Sequence, residues 1–104
     1  MPGKSHDQEW ADRFAVLGDL NRLRLLRLIH REGPISVGDL ADRTELKPTT
    51  VSHALRVLRV YGTVDTTRDG QSRLYRLTDD TVAALLDHIP ATGTDRTKAL
   101  DTDP

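Results

Sequence analysis

The sequence predicts a mainly α-helical domain of the α+β class, in which a β-hairpin precedes the last helix. Three observations support this fold. Apolar residues recur at helical spacing from Trp10 to Leu58. An Asp69-Gly70 pair then separates two stretches rich in Thr, Val and Tyr, which is a strong hairpin signal. Apolar residues at helical spacing return after the hairpin, so the predicted element order is ααααββα.

An apolar stripe predicts the first helix. Trp10, Phe14 and Leu17 lie at i, i+4 and i+7, so one side of a helix that starts at His6 or Asp7 is apolar. The stripe ends at Leu17, where we expect the helix to end.

The second helix is predicted to be central and buried. Asp19 is a suitable N-cap, and Gly33-Pro34 stops the helix after about Arg31. Only an edge of arginines is fully polar, so most of the helix surface should be covered. Its apolar residues are Leu23, Leu25, Leu26, Leu28 and Ile29.

A short helix and a longer one follow. Ser36 and Asp39 resemble a capping box at the start of a helix from Val37 to about Arg43. A link of three to four residues leads to a helix over Lys47–Tyr61, with Pro48 in its first turn. This is the spacing of a helix-turn-helix.

The helix Lys47–Tyr61 has two distinct faces. Val51, Leu55 and Leu58 form its apolar stripe. The opposite face carries hydroxyls, an imidazole and guanidiniums, which suit DNA grooves and phosphates better than covalent chemistry. These polar residues are Thr49, Ser52, His53, Arg56 and Arg59.

The hairpin strands are predicted over Thr63–Arg68 and Gln71–Leu77. Tyr75 and Leu77 should face the core together because side chains alternate along a strand. Polar residues collect at the tip, namely Arg68, Gln71, Ser72 and Arg73.

The last helix is predicted to have Thr78 as its N-cap and to end at Pro90. Its apolar stripe consists of Val82, Leu85, Leu86 and Ile89.

Charge is distributed unevenly along the chain. Residues 47–76 carry six basic and two acidic groups, whereas residues 77–104 carry two and six. The basic middle segment indicates an anionic partner that the overall net charge of −1 conceals.

Composition excludes several other kinds of site. The absence of cysteine excludes a disulfide framework, a cysteine nucleophile and a Cys-ligated metal site. No apolar run approaches the roughly 18 residues of a membrane span, so we expect no membrane partner and a cytoplasmic location.

At this point the chain resembles the ArsR/SmtB family of bacterial winged helix-turn-helix regulators, over about residues 10–90. The resemblance rests on three segments, LGDLNRLRLLRLI, VGDLADRTELKPTTVSHALRVLRVYG and DGQSRLYRL. Within the second segment, TVSHALRVL is the most specific part. The resemblance implies a transcriptional regulator that binds double-stranded DNA, with repression as the family default, and not an enzyme.

Within such a fold, the start of the helix Lys47–Tyr61 enters the major groove. We expect Thr49, Thr50, Ser52 and His53 near base edges, and Arg56 and Arg59 near phosphates. The hairpin is expected to follow the backbone or to reach the minor groove. The complete predicted DNA-binding set is Lys47, Thr49, Thr50, Ser52, His53, Arg56, Arg59, Arg68, Gln71, Ser72 and Arg73.

The resemblance also implies a homodimer in which the first and last helices pair. Two recognition helices would then meet a palindromic operator about 10 base pairs apart. The alternative is that both apolar stripes close a monomeric core. The predicted dimer residues are Trp10, Phe14, Leu17, Val82, Leu85, Leu86 and Ile89.

The sequence lacks the effector ligands that the family resemblance leads us to expect. Ser36 and Gly38 occupy positions where the family has thiol ligands, and Thr81 stands where a histidine is expected after Asp79. His6, His88 and Asp79 are weak candidates for a nickel or zinc site, because imidazole and carboxylate suit those ions. His30 is expected to be a packed residue of the second helix.

Domain limits and rival functions complete the expectations. Residues 1–8 should be a flexible N-terminus, 9–90 the DNA-binding and dimerisation domain, and 91–104 a disordered acidic tail. One alternative is a regulator controlled by a separate sensor protein. Another is a protein-docking winged helix, although only Val60 adds an apolar residue to the polar face.

Overall fold

The computed structural model describes residues 3–90 and has the expected helices and hairpin plus one short strand. The predicted tail, residues 91–104, lies outside the described residues. The elements are α1 His6–Leu17, α2 Leu20–Glu32, β1 Ile35–Ser36, α3 Val37–Thr44, α4 Pro48–Val60, β2 Val64–Asp69, β3 Ser72–Leu77 and α5 Asp80–His88.

Side chains cap the first helices as their residue types predict. The Ser5 hydroxyl accepts a hydrogen bond from the Gln8 backbone N–H at 3.1 Å, and α1 therefore begins at His6. The predicted flexible N-terminus of residues 1–8 is thus too long, because its last three residues are helical. Asp19 caps α2 by accepting from the Arg22 N–H at 3.0 Å.

The core lies where α2, α3 and α4 face one another, with the sheet and α5 closing its edges. Burial of this apolar surface is the main stabilising contribution to a domain of this kind. Its most deeply buried large side chains are Leu25, Leu26 and Ile29 of α2, Leu40 of α3, Val51, Leu55 and Leu58 of α4, Val64 of β2 and Val82 of α5.

The sheet has three antiparallel strands in the order β1-β3-β2. Ile35 of β1 pairs with Tyr75 of β3, while Val64 at the start of β2 pairs with Leu77 at the end of β3. Strand β1 was not predicted, because two residues are too few to show the alternation that marks a strand. Pairing with β1 covers the edge of β3 that β2 leaves free.

The predicted cap of the last helix is wrong by one residue. Asp79, and not Thr78, caps α5: its Oδ1 accepts from the N–H groups of Thr81 and Val82 at 3.0 and 3.1 Å. Thr78 precedes the cap and bonds to residues before β2. Its N–H donates to the Thr63 carbonyl and its hydroxyl donates to the Gly62 carbonyl.

Among residues 3–90, no helix has the length and apolar character needed to cross a membrane.

Candidate nucleic-acid interface

The turn between α3 and α4 orients the second helix. Glu45 ends α3 in the left-handed conformation, with φ of 59°, and reverses the chain direction within a few residues. Lys47 is then the extended N-cap residue, and Pro48 occupies the first turn of α4, where its missing N–H costs nothing. The chain thereby forms a helix-turn-helix, as predicted.

Helix α4 is fixed by its apolar side. Val51, Leu55 and Leu58 are all buried, as the sequence predicted, and Ala54 is buried beside them. Because these residues pack against the rest of the core, the polar side of the helix faces outward in one fixed orientation.

The first turns of α4 present the predicted base-reading residues at the surface. Thr49, Ser52, His53 and Arg56 line a shallow cavity of about 260 Å³ together with Pro48. Thr50 is partly buried, so less of its side chain is available than the sequence suggested. Lys47 is exposed at the start of the helix.

A larger groove of about 510 Å³ separates α4 from the hairpin. Arg56 and Arg59 reach it from the helix, and Arg73 reaches it from β3. Three arginines from two elements therefore line one groove, and guanidiniums are suited to contacts with backbone phosphates. Arg59 also lies 3.6 Å from the carboxylate of Asp65, an exposed ion pair that leaves its donors accessible.

Two residues of this groove, Val60 and Tyr75, were not in the predicted DNA-binding set. Val60 is 78% exposed and gives the groove an apolar patch. Tyr75 packs against the core as expected, but it also contributes to the groove wall. A tyrosine can do both, because its ring is apolar and its hydroxyl is polar.

The hairpin tip is basic and exposed. Arg68 and Arg73 are paired across the strands, and Asp69 is paired with Ser72 around the turn. Gly70 makes this turn with φ of 63°, a conformation that favours glycine. Arg68, Gln71 and Ser72 are exposed near the tip but are not among the residues that line the groove.

The predicted dimer residues of α5 separate into two groups. Val82 and Leu86 are only 2% and 7% exposed and are buried by their own chain, so they have almost no surface left for a partner. Their assignment to a dimer interface is corrected accordingly. Leu85 and Ile89 remain 36% and 38% exposed.

The predicted dimer residues of α1 are also divided. Leu17 packs against the core, whereas Phe14 is 56% exposed. The Trp10 ring lies 5.8 Å from that of Phe14, and the Arg13 guanidinium lies 5.2 Å from the centre of the Trp10 ring. Trp10 and Phe14 thus form an aromatic pair with accessible surface.

Asp79 already has other partners. Its Oδ2 accepts from Arg13 Nη1 at 2.9 Å, and its Oδ1 caps α5. Within residues 3–90 of one chain, no three His, Asp or Glu side chains are grouped as a metal would require. His6, His88 and Asp79 are therefore not brought together in a single chain.

His30 is not simply packed, as the sequence suggested. Its Nε2 lies 2.7 Å from Asp87 Oδ1 and joins α2 to α5 at a partly exposed position. No sequence signal pairs these residues, because they are 57 positions apart.

Comparisons with known proteins agree with this geometry. A helix-turn-helix domain model matches residues 17–62, which include the whole α2–α4 region. The chain is 43% identical over 77 residues to the HTH-type transcriptional regulator NmtR of Mycobacterium tuberculosis, a match that covers 74% of the chain and 63% of NmtR. The match therefore spans less than two thirds of the length of NmtR.

Two further relatives match more of their own length. A homologue of the cadmium resistance transcriptional regulatory protein CadC from Staphylococcus aureus is 30% identical over 84 residues, covering 81% of the chain and 69% of the homologue. The homodimeric winged helix-turn-helix DNA-binding domain of Mb0332 from Mycobacterium bovis, a possible ArsR-family regulator, superposes with a TM-score of 0.65 at 30% identity and 84% coverage of both chains. From motif, fold and relatives together, the chain belongs to the ArsR/SmtB family of winged helix-turn-helix transcriptional regulators.

Proposed function

We propose that this protein is a DNA-binding transcriptional regulator that inserts α4 into the major groove and lays the β2–β3 hairpin along the adjacent backbone. The observation that carries the proposal is the groove between α4 and β3, where Arg56, Arg59 and Arg73 converge. Guanidiniums bind phosphate strongly, and the hydroxyl and imidazole groups at the start of α4 suit base edges.

We further propose that the protein binds a palindromic operator as a homodimer. The exposed apolar residues of α1 and α5 support this: within residues 3–90 of one chain, Phe14, Leu85 and Ile89 stay 56%, 36% and 38% exposed. Mb0332, a similar fold, is homodimeric. Two copies would place two α4 helices on successive major grooves. In the cytoplasm, a dimer bound to the operator would block the promoter.

A gel shift with the DNA upstream of the gene tests this function. Retardation that a palindromic competitor removes, and that random DNA removes only in large excess, is the expected result. Absence of any retarded band in low salt, with and without nickel or zinc, would favour a protein-docking winged helix instead. Control by a separate sensor protein stays a prediction.

A metal response is the second candidate, favoured by the cadmium resistance role in the name of the CadC homologue. Without cysteine, the chain has only imidazole and carboxylate ligands to offer, which suit nickel or zinc better than cadmium. His6 on α1 and His88 on α5 lie on the two helices that we propose to pair, so a site would form across the dimer.

Calorimetry with nickel and zinc tests the metal response. We expect His88→Ala to bind either ion more weakly than the wild type does. Identical isotherms for the two proteins would contradict metal binding by His88.

A further inference from the structure

A second basic site lies on α2, away from the groove that faces DNA. It is a cavity of about 310 Å³, and four of its lining residues are arginines. The lining consists of Arg24, Arg27, Leu28, Arg31, Arg43 and Thr44. None of these residues lines the α4 cavity or the groove between α4 and the hairpin.

Two of the arginines are positioned by carbonyl groups and form no ion pair within residues 3–90. Arg24 Nη2 donates to the Thr44 carbonyl at 2.8 Å, and Arg27 Nη2 donates to the Pro90 carbonyl at 3.1 Å. A carbonyl oxygen carries no net charge, so these bonds orient the guanidiniums but leave their positive charge intact. Each guanidinium also retains further N–H donors.

The cavity has too few carboxylates for its arginines. Of the carboxylates in residues 3–90, only Glu32 forms an ion pair with any of the four. Its oxygens lie 2.6 Å from Arg43 Nη1 and Nη2 and 3.7 Å from Arg31 Nε. The Arg43 guanidinium holds the pKa of Glu32 below its ordinary value, so Glu32 is charged at neutral pH. One negative charge against four positive ones leaves a local excess.

The basic surface extends beyond this cavity. Arg27 and Arg31 also line a neighbouring cavity of about 320 Å³, which contains the His30–Asp87 pair. A ligand with more than one anionic group can therefore contact several guanidiniums at once. Planar guanidinium forks match phosphate oxygens in geometry as well as in charge.

We propose that this arginine cavity binds the phosphate groups of a small oligophosphate, such as inorganic triphosphate or the phosphate chain of a nucleotide. The site is separate from the DNA-binding surface and goes beyond the proposed function. It lies beside the turn that leads into α4, because Arg24 bonds to the carbonyl of Thr44, the last residue of α3. A bound phosphate would compete with Glu32, the last residue of α2, for Arg43 of α3.

Calorimetry with inorganic triphosphate at constant ionic strength tests the site. Arg31 is the best position to change, because its side chain is exposed and makes only the long contact with Glu32. We expect saturable binding of one triphosphate per chain. Arg31→Ala should weaken it about tenfold, the usual effect of losing one charge-assisted hydrogen bond.

Arg73→Ala is the matched control, since it removes one guanidinium from the DNA-facing groove. It should leave triphosphate affinity unchanged. Failure of the wild type to bind triphosphate, an unchanged dissociation constant in Arg31→Ala, or an equal loss in Arg73→Ala would each overturn the proposal. Thermal melting of both variants confirms that they fold.

A DNA titration separates this site from the proposed DNA-binding function. Arg31→Ala should bind the operator with wild-type affinity, whereas Arg73→Ala should bind it more weakly than the wild type does. A loss of DNA affinity in Arg31→Ala, with triphosphate binding unaltered, would assign these arginines to the DNA backbone and overturn the proposal. Calorimetry requires no DNA, so its result stands even if the wild type fails to bind an operator.

Discussion

At the scale of single residues, two glycines differ in the space around them. A Cβ added at Gly33 would lie 2.5 Å from the Ile29 carbonyl oxygen and 3.3 Å from that of Tyr75, and neither backbone atom can move easily. A Cβ at Gly38 would meet nothing closer than the Ser36 hydroxyl at 3.9 Å. Gly33 therefore permits the close approach of its backbone to the last turn of α2 and to β3, while Gly38 is an ordinary helical position.

We expect Gly33→Ala to lower the free energy of unfolding by about 1–3 kcal/mol, the usual cost of forcing atoms into a packed region. Gly38→Ala, its control, should raise the free energy of unfolding by about 0.5–1 kcal/mol because alanine favours helix. Urea denaturation of both variants measures this. Equal transition midpoints for the two would contradict the close approach at Gly33.

The residues at the start of α4 should differ in what they contribute to DNA binding. His53 lines the α4 cavity that we place near base edges, while Ser52 and Arg56 line both that cavity and the groove. Of these two, only Arg56 carries a charge that attracts phosphate. We expect Ser52→Ala and His53→Ala to change the order of preference among operator sequences. Arg56→Ala should weaken binding to all duplexes about equally. A selection from randomised duplexes measures this, and an unchanged consensus in both Ser52→Ala and His53→Ala would contradict the assignment.

At the scale of elements, α5 has one side buried in the core and another that we propose contacts a partner subunit. Val82→Ala should lower the free energy of unfolding by about 1–3 kcal/mol because it leaves a cavity in the core. Leu85→Ala should change that stability little but raise the dimer dissociation constant. Sedimentation velocity combined with thermal melting distinguishes the two effects. A Leu85→Ala protein that dimerises as tightly as the wild type would contradict an interface at α5.

The elements that the sequence predicted correctly are those specified by neighbouring residues. The caps Ser36 and Asp19, and the apolar stripe of α4, are local signals, and the structure confirms them. Strand β1 exists only because β3 pairs with it, so no local pattern marks it. Which of Thr78 and Asp79 caps α5 likewise depends on residues distant in the sequence. Thr78 bonds to Gly62 and Thr63, and Asp79 bonds to Arg13.

The apolar stripe of α5 shows a different limit. Its spacing correctly predicts a helix with one apolar side, but spacing does not reveal whether the same chain or a partner covers each residue. Val82 and Leu86 are covered by their own chain, whereas residues 3–90 cover Leu85 and Ile89 only in part. The same limit applies to the candidate site, since the contribution of Tyr75 to the groove depends on how the hairpin folds back towards α4.

At the scale of the whole molecule, the basic segment of the sequence forms one part of the protein surface. The segment with six basic and two acidic residues, 47–76, contains both α4 and the β2–β3 hairpin. The three-dimensional fold brings three of its five arginines, Arg56, Arg59 and Arg73, to one groove. A protein with a net charge of −1 can thus present a positive surface to DNA, provided that the surface is local.

Arg73 and Arg76 allow the position of this basic surface to be tested within one strand. They are three residues apart on β3, so their side chains point to opposite faces. Arg73 lines the groove with Arg56 and Arg59, whereas Arg76 lines a cavity beside α5 with His30 and Asp79. Replacing either one removes the same charge from the molecule, and only its position differs.

Fluorescence anisotropy of a labelled operator, titrated over a series of salt concentrations, therefore tests the DNA-binding surface most directly. Arg73→Ala should weaken binding and reduce the slope of log affinity against log salt by about one per subunit, because one phosphate contact is lost. Arg76→Ala should match the wild type in affinity and slope. Equal effects of the two substitutions, or wild-type behaviour in Arg73→Ala, would contradict DNA binding by the groove between α4 and the hairpin.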